Sequence, residues 1–306
     1  MPSYQRSMTI SSMSRRKFLQ STAVATAATA SGVLTTTAQI QKANWPIGCF
    51  NRPWVKNWNF EETLGSIKAA GYKLTGLLTK TKDDVFIAAE ATPEYLAELK
   101  SKIAASGLTA NMAAIRTKND LTLPEQIKDV RKQIDHGKFL DLEYLLTFGV
   151  DKPEHYETYY KLMADSAAYA KECGIKLVLK PHGGGSGASE EIIRCLNKVK
   201  HPNFKVWYDA GNIIHYTGKD PLDQLKPIAQ HVTGFCAKDC AKQKGDVMIQ
   251  FGKGKVDFHG VFAELKKAGF NGPVMVESCE VSDDLKVITA NAKANREFLE
   301  NVFASL

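Results

Sequence analysis

The 306 residues, 44% hydrophobic and 24% charged, have the balance of a folded globular protein and exclude disordered and low-complexity classes. Six scattered cysteines without zinc-ribbon spacing exclude a disulfide scaffold and a structural zinc module. The formal charge of +7 includes Arg6, Arg15, Arg16 and Lys17 in an acid-free N-terminal stretch, and the +3 that remains, without a basic run, argues against nucleic acid as a partner.

Residues 14–20 read SRRKFLQ and lead into a charge-free, Ala/Thr-rich stretch from Ser21 to Ala38. Paired arginines, a following Phe-Leu and a mildly apolar run, in that order, resemble a twin-arginine (Tat) export signal. The stretch is too rich in Thr and Ser for a membrane-spanning helix. The resemblance implies folding in the cytoplasm, then transfer by the Tat export machinery to the periplasm or cell surface, with cleavage near Ala38 or retention as an anchor. The expected organisation is an export signal over 1–38 and one folded domain over 39–306.

From Trp45 onward, short apolar runs that mark buried strands alternate with longer amphipathic stretches that mark helices. In chain order the strands are Pro46–Phe50, Leu74–Thr79, Ala110–Ile115, Leu142–Phe148, Leu177–His182, Val206–Asp209, Val232–Lys238 and Pro273–Ser278. The helices following each in turn are Phe60–Ala70, Pro93–Ala105, Pro124–His136, Glu154–Glu172, Ser189–Val199, Pro221–Ile228, Phe258–Ala268 and Asp284–Val302. Pro93 and Pro124 suit first-turn positions, and Gly71, Gly107, Gly174 and Gly269 suit C-terminal caps. This strand-then-helix grammar over about 260 residues predicts an α/β fold, the (β/α)8 TIM barrel. A doubly wound sheet is the rival, but the turn from Phe50 to Asn59 contains no glycine and so lacks the dinucleotide fingerprint.

In such a barrel the chemistry sits at the C-terminal ends of the strands. Four late strands end in reactive groups: LVLKPHGGG, VWYDAGN, GFCAKDC and VMVESCE. Side chains alternate along a strand, so Lys180 and His182 share a face, as do Trp207 and Asp209, and Cys236 and Lys238. An ionised Glu277 closing an apolar strand must be paired or bound to a metal, and Asp209 either works in the site or caps the turn it opens. Lys238 points inward beside Asp239 at the rim, or is a surface charge. Gly183 and Gly184 open a glycine loop that either lets backbone approach a ligand or merely links. Asn212 and His215 follow on the turn after Asp209. Asn51, Arg52 and Trp54, after the first strand, are candidates to line the mouth, with Trp54 offering an aromatic face for stacking, unless Trp54 and Trp58 only close the barrel end. Cys236 and Cys240 are too far apart along an extended chain to bridge, which predicts free thiols.

The KPHGG and WYDAGN strand ends, the AKD after the seventh strand, the FGKGKVDF segment and the final VES resemble the xylose-isomerase-like barrels, the sugar isomerase/epimerase group that includes endonuclease IV. The resemblance spans Trp45 to the last helix. It implies a divalent ion (Mn, Co, Zn or Mg) held by Glu, Asp, His and Glu at the ends of strands five to eight. Asp209 and Glu277 match the second and last ligands; Lys180 and Cys236 stand where Glu and His are usual. A protonated lysine cannot bind a cation. Either His182 completes a metal site with Asp209 and Glu277, or the metal has been lost and Lys180 acts electrostatically or as an acid/base.

The function so implied is a carbohydrate isomerase or epimerase. Lys180, Glu277, His182 and Lys238 are its candidate catalytic groups, with a proton removed beside a carbonyl and the enediolate stabilised by a metal or by Lys180. A keto-sugar lyase or hydratase on the same site, and a non-catalytic sugar-binding barrel, are the alternatives. The substrate class is a small carbohydrate; DNA repair is disfavoured, because the endonuclease branch needs many histidine ligands and the seven present lie mostly away from strand ends. Related barrels often pair, so a homo-oligomer stays open, although no apolar stripe marks an interface.

Overall fold

The structure, a computed structural model, describes residues 43–306. The expected export signal therefore lies outside the described residues. The strands β1 (Ile47–Phe50), β2 (Leu74–Leu77), β3 (Thr109–Ala114), β4 (Tyr144–Thr147), β5 (Lys176–Leu179), β6 (Phe204–Asp209), β7 (Val232–Ala237) and β8 (Val274–Val276) pair in sequence order. All pairings are parallel, and β1 pairs with β8, so the sheet closes into a TIM barrel.

Helices α1 (Phe60–Ala69), α2 (Pro93–Ser106), α3 (Leu123–Phe139), α4 (Tyr156–Glu172), α5 (Ser189–Val199), α6 (Ala210–Thr217), α7 (Pro221–Leu225), α8 (Phe258–Lys267) and α9 (Leu285–Ala304) alternate with the strands. Their starts are chemically marked. Asn59 and Glu62 form a reciprocal capping box on α1, and Thr92 caps α2 with Pro93 in its first turn. Helix α6 is the departure from expectation. It begins on the residue after β6, with Asp209 both ending the strand and capping the helix, so no loop composition announces it. The stretch Pro221–Ile228 is also helical only to Leu225.

Two apolar layers result from strand alternation. Phe50, Met112, Leu146, Val178, Trp207, Cys236 and Met275 fill the barrel interior, while the residues flanking them in sequence, such as Leu177, Leu179, Phe235 and Ala237, pack outward against the helices. Large interior rings need small neighbours: a Cβ at Gly234 would run into the Trp207 ring, and one at Gly76 into Phe50. Extended upward by two residues per step, the interior rows Val178, Trp207, Cys236 and Met275 lead to Lys180, Asp209, Lys238 and Glu277. The expected strand ends overran slightly, since Lys180, Lys238 and Glu277 each fall one residue past a strand. Backbone pairing still anchors two of them, through Lys180 N to Thr147 O (2.9 Å) and Glu277 N to Ala237 O (2.9 Å).

Candidate active site

At this end of the barrel lies a cleft of about 250 Å³ lined by Arg52, Arg116, Lys180, His182, Lys238 and Glu277 among others. A larger cavity of about 1110 Å³ opens at the opposite end, against Pro46, Lys73, Asn111 and Glu143 at the strand starts, where this fold does not place its chemistry.

Glu277 is the hub. It is 2% exposed, and its carboxylate meets the Lys180 ammonium and the Arg52 guanidinium, Lys238 Nζ at 2.7 Å and the Cys236 thiol at 2.6 Å. Burial alone would raise its pKa, but Lys180, Lys238 and Arg52 hold it well below the usual carboxylate range. Burial likewise opposes the charge on Lys180, yet the carboxylates of Glu277 and Asp209 raise its pKa above that of an ordinary lysine, so it stays an ammonium. Cys236 is pushed well above a normal thiol, by burial first and then by the two carboxylates; it keeps its proton and donates it to Glu277.

Asp209 supports this hub from beneath. Its Oδ1 accepts from Asn212 N at 2.9 Å, capping α6. Its Oδ2 sits 3.0 Å from Lys180 Nζ and 3.2 Å from Lys238 Nζ, a charge contact without a well-directed hydrogen bond. Asn212 accepts from Lys238 Nζ at 2.8 Å and donates to Pro181 O at 2.7 Å, tying the start of α6 to the end of β5. Gly211 makes that approach feasible, because a Cβ there would lie 2.7 Å from Lys238 O.

His182 forms the wall, its ring between Phe148 (4.9 Å) and Tyr216 (4.7 Å), with Nε2 2.9 Å from the Tyr216 hydroxyl. Burial and the nearby Lys180 and Lys238 lower its pKa to about 4, so the ring is neutral. His215 lines the same cleft with Nδ1 2.9 Å from Gly245 O.

Other expected positions land elsewhere. Asn51 is a backbone staple: its Oδ1 accepts from Leu78 N and Thr79 N, both at 3.0 Å, and its amide donates to Thr79 O at 2.8 Å. Trp54 does not stack over the mouth. The turn after β1 tucks it, fully buried, into the layer between strands and helices. Gly183 and Gly184 are absent from the cleft lining; both have positive φ (+84° and +46°), and side chains there would strike Tyr216 and the backbone of Asp151. Asp239 turns away from the site. It accepts from the N–H groups of Cys240, Gly252, Gly254 and Val256 and thereby folds the loop that contains FGKGK. Arg116 and Tyr216 also line the cleft, although neither stands out as a site residue in the sequence. An arginine directly beyond the apolar β3 was the available signal for the first; Tyr216 gave none, because it projects from the unrecognised α6.

Residues 64–302 match the family described as the xylose isomerase-like TIM barrel. The chain belongs to this family. Among curated relatives, inosose dehydratase of Clostridium perfringens is 24% identical over 254 residues, covering 73% of this chain and 83% of that one. Inosose dehydratase of Lacticaseibacillus casei is 22% identical over 259 residues, with 73% and 83% covered. Among solved structures, D-allulose 3-epimerase from Methylomonas sp. superposes with a TM-score of 0.67 at 18% identity, covering 86% of this chain and 99% of that one. A xylose isomerase-like TIM barrel protein from Mycobacterium smegmatis, in complex with magnesium, gives 0.69 at 16% identity with 87% and 99% covered. At these identities the structures share the fold.

The magnesium-bound relative makes the donor set of this xylose isomerase-like barrel worth testing. Asp209, Cys236 and Glu277 place potential ligand atoms within 4.8 Å of one another; Cys236, and not His182, completes the trio. Its chemistry does not fit a divalent ion. The ammonium groups of Lys180 and Lys238 already contact both carboxylates, Arg52 contacts Glu277, and Cys236 retains its proton. The positive charge that a metal would bring is supplied by side chains.

Proposed function

We propose that this barrel is a keto-sugar-modifying enzyme that removes a proton beside a carbonyl and uses ammonium groups to hold the resulting enolate. The observation that carries this reading is the convergence of Lys180, Lys238 and Glu277 on the floor of one cleft at the C-terminal ends of the strands. Glu277 takes the proton from carbon, the C–H electron pair becomes the enolate double bond, and the carbonyl oxygen acquires negative charge facing Lys180 and Lys238. Pre-placed cations stabilise such charge without reorganisation. Substrate oxygens that engage the two lysines also loosen their hold on Glu277 and increase its basicity. Asp209 and Asn212 position the lysines from below.

Protonation of the enolate carbon by solvent water on the face opposite Glu277, with the proton on Glu277 neutralising the hydroxide left behind, gives an epimer, the chemistry named for the Methylomonas relative. A second outcome is favoured by the inosose dehydratase relatives: the same enolate expels a hydroxyl from the neighbouring carbon, which takes the proton that Glu277 removed and leaves as water, returning Glu277 to its carboxylate form. The proposal includes export by the twin-arginine route, which fractionation of cells expressing the full chain tests against a variant with Arg15 and Arg16 replaced by Lys.

The experiment is NMR-detected exchange of the carbon-bound hydrogen of ketoses in D2O, with product identified in the same spectra. Exchange by the wild type and its loss in Lys180→Met and Glu277→Gln proteins that remain folded is the expected result. Binding without exchange across the panel would make the barrel a sugar-binding protein. Elemental analysis after metal-replete expression should find no stoichiometric ion; about one per chain, lost in Glu277→Gln, would overturn the ammonium assignment.

A further inference from the structure

The cleft carries more positive charge than its own acids neutralise. Arg52, Lys180 and Lys238 are set against Glu277 and Asp209, but Arg116 is not. Arg116 lies just beyond β3 and lines the cleft. Its backbone is clamped by the buried Gln133, whose Oε1 accepts from Arg116 N at 2.9 Å and whose Nε2 donates to Arg116 O at 2.8 Å. The guanidinium stacks over Phe148 at 4.9 Å and donates to Leu78 O at 2.6 Å.

A guanidinium has five N–H donors, and among the described residues only one bond to a protein acceptor is made here. Among the described residues no carboxylate lies within 4.0 Å of it. Asp129, the acid nearest along the Gln133 clamp, is already engaged by Lys118 at 2.7 Å and by Gln133 at 2.7 Å. Burial lowers the Arg116 pKa, and among the described residues no acid in contact offsets the cost of holding the charge half-buried. Such a group, held in place and short of an anion, is suited to a ligand that supplies one.

We propose that Arg116 binds an anionic group of the substrate, a carboxylate or a phosphate, and so selects acidic keto-sugars; this rests on the reading that the cleft takes a keto-sugar. The spacing suits a single small ligand. Arg116 Cζ is 4.9 Å and Lys180 Nζ 5.7 Å from the centre of the same Phe148 ring, so their separation cannot exceed those two distances combined. A six-carbon chain spans that gap once a hydrogen bond is added at each end. The ligand would thus reach from Lys180 and Lys238 at its carbonyl to Arg116 at its charged end.

The test is titration calorimetry on the full chain with three matched probe sets: neutral ketohexoses, ketohexuronates and ketohexose 6-phosphates. Wild type should bind one of the anionic sets more tightly than the neutral one by roughly tenfold to a hundredfold, the worth of a charge-assisted bond. Whether uronate or phosphate is preferred identifies the anion. Arg116→Met should weaken anionic binding by about that factor and neutral binding by much less, so that the preference is lost, and Arg116→Lys should restore part of it; thermal melting confirms that both variants fold. Equal binding of neutral and anionic sets, equal loss of both in Arg116→Met, or no binding of any set overturns the inference. D2O exchange on the same probes separates the two readings. Exchange on ketoses without anion preference removes the role of Arg116 and leaves the enzyme; Arg116-dependent anion binding without exchange does the reverse.

Discussion

Glu277 and Lys180 form one electrostatic unit with Lys238, Arg52 and Asp209, and a double-mutant cycle on Lys180→Met and Glu277→Gln measures it. In the wild type three cations face two carboxylates, all but Arg52 almost wholly buried. Glu277→Gln leaves three buried or half-buried cations with Asp209 alone, and Lys180→Met leaves Asp209 with only Lys238 in contact. Removing one partner of a buried pair costs about 3–5 kcal/mol, because its charge is left uncompensated. Making both changes restores the wild-type excess of one positive charge, so the double variant should be more stable than the two losses added together predict, by about 2 kcal/mol. Equilibrium urea unfolding of the four proteins at neutral pH, with unchanged m-values, reads this directly. Strictly additive losses would show that Lys180 and Glu277 do not share a charge network and would remove the basis for reading Lys180 as a substitute for a metal.

Three further outcomes follow from the geometry. His182 should stay neutral down to about pH 4 in its ring-proton NMR titration. Because its pKa is lower folded than unfolded, the stability it lends is complete above about pH 6.5 and is lost as pH falls toward 4, up to about 3 kcal/mol in all; His182→Phe should flatten that part of the pH–stability curve. Asp239→Ala, which strands four backbone N–H groups, should cost about 3 kcal/mol or more and open the loop after β7 to limited proteolysis between Lys242 and Lys255, whereas an uncut loop would show that Asp239 does not organise it. Gly234→Ala should lower stability by about 1–3 kcal/mol in the same unfolding assay, and pairing it with Trp207→Phe should recover part of the loss.

The barrel and the inward rows were legible in the sequence because their signals are local. Alternation within a strand assigns Lys180, Asp209 and Lys238 to the same side as Val178, Trp207 and Cys236 whatever surrounds them, and proline and glycine at helix ends mark where each unit stops. Helix α6 was not legible, since Asp209 serves both strand and helix and no turn residue intervenes. Nor could alternation say whether Trp54 faces the mouth or the outer layer: that residue sits in a turn, where side-chain direction has no fixed period.

What only the tertiary structure decided are relations between strands far apart in the chain. The sequence placed Lys180 and Glu277 at two strand ends; closing β1 onto β8 is what brings the ends of β5, β6, β7 and β8 around one cleft and sets ammonium against carboxylate. Pairing of β4 with both β3 and β5 places Arg116, just beyond β3, over the Phe148 ring that also faces Lys180. Periodicity fixes which way a side chain points, but the strength of a charge depends on its distance to other charges and on burial, and both are set by long-range packing.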